Sequence, residues 1–244
     1  MLISIQNFSD WLDKRWPYPT QVSQIAVGCG AGAFTELVNK DCAPTALVGI
    51  DPSQDQIAYA KKMRGHIAEC RVGGATALPF EADRFDVAVM ALVIFFVPQP
   101  LTGVREMAGV VAPGRMVASY IWDSVGGGSP THMISEALVK LDVFRPKAPN
   151  GAVSQMDALH NLWAQAGLTA IRSKEITVTR TFVDFAIFWE NTWLSPNRRK
   201  AREKVSNTVL EHVKNSLKAR LEINSDGGIS VDGTLSPSRS AAPR

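Results

Sequence analysis

The residues with the clearest chemical potential stand at 25–32, which read I-A-V-G-C-G-A-G, an apolar run that drives straight into glycines at 28, 30 and 32. A second apolar run, A-L-V-G-I-D at 46–51, ends in Asp51. A strand that enters a glycine turn ahead of a helix brings backbone N–H groups and the positive helix end against a ligand. Gly28 and Gly30 allow dihedrals and a close approach that a side chain would block. An acid that closes the next strand can accept hydrogen bonds from ribose hydroxyls. Asp51 can also cap the helix that follows, although Ser53 is available for that role. The pair points to a nucleotide-like cofactor at the mouth of a parallel sheet. Its identity stays open on spacing alone: Gly28, Gly30 and Ala33 satisfy the G-x-G-x-x-A form of the dinucleotide fingerprint, whereas Gly28, Gly30 and Gly32 give G-x-G-x-G. A dinucleotide oxidoreductase also needs a hydride site and a polarising residue, and the sequence offers no evident pair of that kind.

The elements that must position this turn can be read along the chain. Residues 25–27 form a strand into the turn, 34–39 a helix with Phe34, Leu37 and Val38 on one side, and 46–50 a second strand. Ser53 is the expected N-cap of the next helix, whose buried side is expected to carry Ile57, Ala58 and Ala60. Residues 66–72 can form a third strand, and 85–93 is the near-continuous apolar run of a strand buried on both faces. A helix over 101–111 is stopped by Ala112-Pro113-Gly114, and a strand over 115–121 follows. Strand and helix alternate from 25 to 121 with short connections, the pattern of an open, doubly wound α/β sheet. Its crossovers are expected to be right-handed, gathering the strand C-termini on one rim.

Beyond Asp123 the pattern changes. Residues 124–130 are glycine-rich and expected to be mobile; 134–144 and 155–166 are short helices separated by a proline-bearing loop. Phe182, Phe185, Phe188, Trp189 and Trp193 form a dense aromatic group, and one helix is expected across 197–221. The reading is a single domain over 1–235, with its core at 25–123 and a lid or substrate elaboration at 124–160. The serine- and proline-rich stretch 236–244 is expected to be a flexible tail.

Bulk properties constrain the partners. The 244 residues are 45% hydrophobic and 20% charged, ordinary for a globular chain, and the net charge of +3 is mild. Basic residues crowd 198–220, but without aromatic interleaving or a binding motif they read as a solvated helix face, and no nucleic acid is expected. Cys29, Cys42 and Cys70 have neither a paired framework nor metal-ligand spacing, and no metal is expected. The opening M-L-I-S-I-Q-N-F-S-D-W lacks a signal-peptide hydrophobic region, and no apolar stretch reaches membrane-span length. The expected setting is cytoplasmic, as a monomer or homodimer.

The order of the motifs resembles the class I S-adenosylmethionine-dependent methyltransferases, especially the small-molecule branch that includes the ubiquinone and menaquinone biosynthesis C-methyltransferases. The matching pieces are V-G-C-G-A-G at 27–32, V-G-I-D-P-S at 48–53, V-G-G-A-T-A-L-P-F at 72–80, F-D-V-A-V-M-A-L-V at 85–93, V-P-Q-P at 97–100 and R-E-M-A-G-V-V-A-P-G-R-M-V at 105–117. A-Q-A-G-L-T-A-I at 164–171 is similar to a late helix-to-strand corner of that family. The resemblance implies a Rossmann-like, mostly parallel seven-stranded sheet with helices on both faces, its last strand antiparallel, and a helical lid insertion. The segment after Gly227 would supply the inserted last strand, and 168–178 the strand before it. The implied cofactor is S-adenosyl-L-methionine, with Gly28, Cys29, Gly30 and Gly32 at its methionine end, Asp51 and Pro52 at the ribose, Gly74 and Ala75 by adenine, and Leu92 beside it at the end of the fourth strand.

The chain departs from the family pattern in two places. Ala26 stands where family members usually carry an acid that orients the methionine amine, and Gly74 where they commonly carry an Asp that receives the adenine amine. The lead ahead of Ile25 is also shorter than the usual helical cover. The implied reaction is in-line methyl transfer to a small, flat or apolar molecule. The alternatives are an NAD-binding oxidoreductase and a non-catalytic relative with weak cofactor binding.

A weak nucleophile would need a general base. Tyr120, Asp123 and His132 are the candidates, against a buried sheet layer, a loop hydrogen bond and a helix start as their plain structural roles. No catalytic residue is assigned. Trp122, Phe95 and Phe96 stand near the same rim, and with Phe185, Phe188 and Trp189 they suggest an apolar acceptor under a lid, although ring packing in a core is the plainer role. His66 and His160 sit in ordinary surroundings.

Overall fold

The computed structural model describes residues 19–141, 149–193, 196–225 and 227–243. The lead before residue 19 and the proline-bearing loop up to 148 lie outside them. The strands are β1 (Ser23–Val27), β2 (Ala46–Asp51), β3 (Glu69–Val72), β4 (Phe85–Ala91), β5 (Val111–Tyr120), β6 (Thr169–Ser173), β7 (Ile176–Phe182), β8 (Ile229–Leu235) and β9 (Ser238–Ala241). The helices are α1 (Ala33–Cys42), α2 (Gln54–Arg64), α3 (Pro100–Val110), α4 (His132–Lys140), α5 (Met156–Gln165), α6 (Phe185–Thr192), α7 (Pro196–Arg202) and α8 (Asn207–Arg220).

The main sheet has seven strands in the order β3-β2-β1-β4-β5-β9-β6. Strands β1 to β5 pair in parallel, and β9 runs antiparallel to both β5 and β6. Successive side chains of a strand point to opposite faces. Ile25 and Val27 therefore join Met107, Leu159 and Trp163 on the face covered by α3 and α5, while Ala26 joins Leu37, Val38, Ile57 and Ala60 on the face covered by α1 and α2. This is the Rossmann-like architecture expected from the alternating pattern. The chain reverses strand order between β3 and β4, where ligands sit in open α/β sheets.

The late part of the chain differs from its sequence reading. β7 and β8 form a separate two-stranded antiparallel ribbon, in register from Ile176↔Leu235 to Phe182↔Ile229. α6, α7 and α8 lie between its strands in sequence, and a third core gathers Phe182, Phe188, Trp189, Trp193, Val213, Leu217 and Val231 with Ile134, Ala137 and Leu138 of α4. Arg220 reaches Glu136 over 2.9 Å, tying α8 to α4. The expected elaboration at 124–160 is thus two things: α4 belongs to this third core, whereas α5 packs on the main sheet through Leu159 and Trp163.

The helix expected across 197–221 is broken. α7 ends at Arg202, and α8 restarts behind Ser206, whose hydroxyl accepts the Val209 amide at 3.3 Å. The stretch expected as a flexible tail instead enters the sheet as β9, so the inserted strand lies at 238–241, while the segment just after Gly227 joins the ribbon as β8. Ser236, Ser238 and Ser240 are buried. Ser238 Oγ meets Ser173 Oγ at 2.8 Å, and Ser240 donates to the Thr169 carbonyl at 2.5 Å. Serine-rich composition reads as solvated chain, but here β6 satisfies the Ser238 and Ser240 hydroxyls. The glycine-rich 124–130 loop is likewise held. Asp123 N donates to Thr234 O at 3.0 Å, Thr234 N to Gly128 O at 2.7 Å and Gly128 N to Asp123 O at 2.7 Å.

Candidate cofactor site

The glycine turn leaves β1 with Gly28, Gly30 and Gly32 all in the left-handed region, at φ of 76°, 53° and 84°. Two of these glycines serve different ends. A Cβ on Gly28 would lie 2.5 Å from both γ-methyls of Val93, so glycine is required for the β4 end to close over the turn. A Cβ on Gly30 would meet nothing within 4 Å, so here the demand is the backbone angle, and the space above it is open. Gly32 is the N-cap of α1, and no side chain caps that helix. A helix N-terminus presents backbone N–H groups and the positive end of the helix dipole, the usual setting for an anionic or polar ligand.

Asp51 ties this turn to the next one. Its Oδ2 accepts the Gly30 amide at 2.9 Å and its Oδ1 accepts the Ser53 amide at 2.9 Å. The neighbouring backbone carries the link further: Gly28 N and Cys29 N donate to Ile50 O at 2.7 and 3.0 Å, and Gly73 N donates to Asp51 O at 3.1 Å. The loops after β1, β2 and β3 thus meet at one carboxylate-bearing corner. Ser53 caps α2 through the Gln56 amide, leaving Asp51 free of that duty. A carboxylate that already takes two amides keeps lone pairs for ribose hydroxyls.

The remaining residues expected at the site divide. Gly74 and Ala75 are half-buried beside this corner, and a Cβ on Gly74 would meet nothing within 4 Å. Leu92 follows β4 directly, in the left-handed region at φ 60°, with its amide on the Tyr120 carbonyl at 2.9 Å. A non-glycine residue held in that region is strained, and such strain gathers at functional sites. Pro52 is exposed in the turn between Asp51 and Ser53. Cys29 turns its side chain into the core: its Sγ occupies the space a Cβ on Gly49 would need, 2.8 Å away, and burial, with Cys70 and Asp51 nearby, pushes its thiol up to about 12. Ala26 is buried against the α1 and α2 face.

Among the base candidates, Tyr120 lies in the sheet layer against Phe34, at 5.8 Å between ring centres, and burial raises its phenol well above the usual value. The Asp123 carboxylate accepts the Gly126 amide at 2.7 Å, the loop role. The His132 ring packs on Gly127 at the start of α4. Trp122 is buried at the β5 end, where its backbone bridges to Leu235. Phe188 and Trp189 belong to the third core, with Phe185 packed against it, so these rings do not argue for an apolar acceptor; Phe95 leans on the main core and Phe96 is exposed. His66 and His160 are exposed.

Sequence reasoning missed Val93 and Arg64. Val93 sits inside a continuous apolar run that gives no hint of its contact with Gly28. Arg64 stands with Lys61 and Lys62 in the last turn of α2, a placement the helix dipole alone explains.

Residues 25–118 match the model of the methyltransferase domain family. Demethylmenaquinone methyltransferase of Staphylococcus aureus is 34% identical over 94 residues, 37% of this chain; the chain spans 39% of the length of that relative. The YcgJ protein of Bacillus subtilis superposes with a TM-score of 0.62 at 14% identity, over 99% of this chain and 98% of that one. Phosphoethanolamine N-methyltransferase 2 of Haemonchus contortus, in complex with S-adenosyl-L-methionine, superposes with a TM-score of 0.56 at 15% identity, over 98% of this chain and 53% of that one. At such identities the structural likeness is one of fold. The chain has the class I S-adenosylmethionine-dependent methyltransferase fold, and the methyltransferase-domain match, over 25–118, lies on the part that builds the glycine turn and the Asp51 corner.

Proposed function

We propose that the protein binds S-adenosyl-L-methionine at the Gly28–Gly30–Gly32 turn and transfers its methyl group to a small molecule. The observation that carries this reading is the Asp51 carboxylate, held by the Gly30 and Ser53 amides beside a turn with open space above Gly30. The residues present fit the cofactor: glycine backbone for its methionine end, Asp51 for the ribose hydroxyls, Gly74 and Ala75 for adenine, and Leu92 for the flank. When bound, the cofactor supplies an electrophilic methyl on a sulfonium.

The work of this chain's own residues is orientation. Two amide donors fix the Asp51 carboxylate, and Val93 packed on Gly28 fixes the turn relative to the β4 end. Rigid placement of reactants can supply a large part of a displacement barrier. Tyr120, buried with its phenol raised, holds its proton at neutral pH and is not the base in this reading. The acceptor would approach from the rim formed by the ends of β4 and β5, under the ribbon and its helices.

Calorimetric titration with S-adenosylmethionine, S-adenosylhomocysteine and NAD tests the reading. Saturable heat with the first two and none with NAD is expected. NAD binding alone would point to an oxidoreductase, and silence with all three to a non-catalytic relative.

A further inference from the structure

Arg64 closes α2, far along the chain from the glycine turn, yet its side chain lies under that turn. Nη1 donates to the Ala31 carbonyl at 3.0 Å, between Gly30 and Gly32. Nε and Nη2 hold Glu36 Oε2, in the first turn of α1, at 3.0 and 2.9 Å. The stem passes so close to Gly32 that a Cβ there would sit 2.9 Å from Arg64 Cδ. The Arg64 side chain is only 18% exposed, so most of the guanidinium's surroundings are protein. A planar guanidinium can serve two acceptors at fixed angles, which an ammonium cannot.

We propose that Arg64 is a positioning residue that holds the glycine turn in its ligand-ready shape. The inference rests on the methyltransferase reading for what the ligand is, though not for the brace itself. Three left-handed glycines in one short turn are costly to order. Asp51 fixes the turn from the β2 side through Gly30, and Arg64 fixes it from the α2 side through Ala31 and Glu36. Between them the turn is gripped on both flanks, and the α1 amides are aimed before any ligand arrives. A preformed site avoids paying for that ordering when the ligand binds. Arg64 itself touches no reacting atom in this assignment.

The test uses Arg64→Met, Arg64→Lys and Glu36→Gln in the full chain, with two readouts. Amide hydrogen exchange without ligand should speed at Gly30, Gly32 and Glu36 by about tenfold or more in Arg64→Met, while β4 and β5 amides keep their rates. Calorimetry should show S-adenosylhomocysteine binding weakened by about tenfold in the same variant. Arg64→Lys keeps a cation for Glu36 but loses the fork, so it should recover only part of either effect, and Glu36→Gln should fall between wild type and Arg64→Met. Unchanged exchange in Arg64→Met, or equal acceleration across β4 and β5, would overturn the brace. Selective acceleration in a protein that does not bind S-adenosylhomocysteine would uphold the brace and sink the cofactor reading instead.

Discussion

The Gly30 amide and the Asp51 carboxylate are joined at 2.9 Å, and with the Gly28 and Cys29 amides on the Ile50 carbonyl this bond ties the turn after β1 to the end of β2. Asp51 is thereby a structural acceptor, and in the proposed function it is also the acid that meets the ribose. The second amide it takes, from Ser53, keeps the carboxylate turned toward the rim rather than into the α2 cap.

The Gly28 and Cys29 amides hold the turn to the Ile50 carbonyl without Asp51, so replacing Asp51 should act on binding more than on folding. Asp51→Ala is expected to weaken S-adenosylhomocysteine binding by about tenfold to a hundredfold, the worth of one or two hydrogen bonds to a charged group. Asp51→Asn keeps an acceptor and should lose less. Calorimetry on both variants decides it; unchanged affinity in Asp51→Ala would remove this residue from the site.

The turn glycines should separate by mechanism. Gly30→Ala meets no atom and should cost only the left-handed backbone, about 1–2 kcal/mol. Gly28→Ala adds a collision with Val93 and should cost about 2–5 kcal/mol. Pairing it with Val93→Ala should relieve the collision but not the backbone cost. Urea unfolding measures all three, and equal losses for Gly28→Ala and Gly30→Ala would contradict the contact.

At Gly74 a Cβ would meet nothing within 4 Å. If adenine lies there, Gly74→Asp supplies an acceptor for its amine and should tighten S-adenosylhomocysteine binding about tenfold, with no gain for the inosine analogue. An equal change for both nucleosides would move adenine elsewhere.

Far from the site, Asp86 makes a pH-dependent contribution. Ser23's hydroxyl, its amide and Arg115 hold the Asp86 carboxyl below its ordinary range, against a smaller opposing effect of burial. A lowered folded pKa means that its stabilisation is complete above the ordinary carboxylate value and is lost as pH falls through the lowered one. Urea midpoints of wild type and Asp86→Asn should differ at neutral pH and converge in acid. A gap that stays constant with pH would contradict the assignment.

How much of this was legible in the sequence depends on how local each signal is. β1, β2, β4 and α2 with its Ser53 cap are written in short apolar runs and cap residues, and they fall where expected. Gly28, Gly30 and Asp51 were legible for the same reason, because strand ends and turn glycines are local features. The third core was not, since Phe188, Trp189 and Val213 find their partners across the β7–β8 ribbon, whose pairing spans residues 176 to 235. β9 was missed because Ser238 and Ser240 owe their burial to hydroxyl partners on β6, invisible in composition. Arg64 carries no local signal beyond a basic side chain at a helix end, and only the fold brings it under Ala31.

The most direct test of the central claim is a crystal structure of the protein with S-adenosylhomocysteine. The expected result is the ribose hydroxyls within hydrogen-bond distance of Asp51, the methionine end against the Gly28–Gly32 backbone and the adenine beside Gly74 and Ala75. Ligand bound with its ribose away from Asp51, or none bound at saturating concentration, would contradict the account.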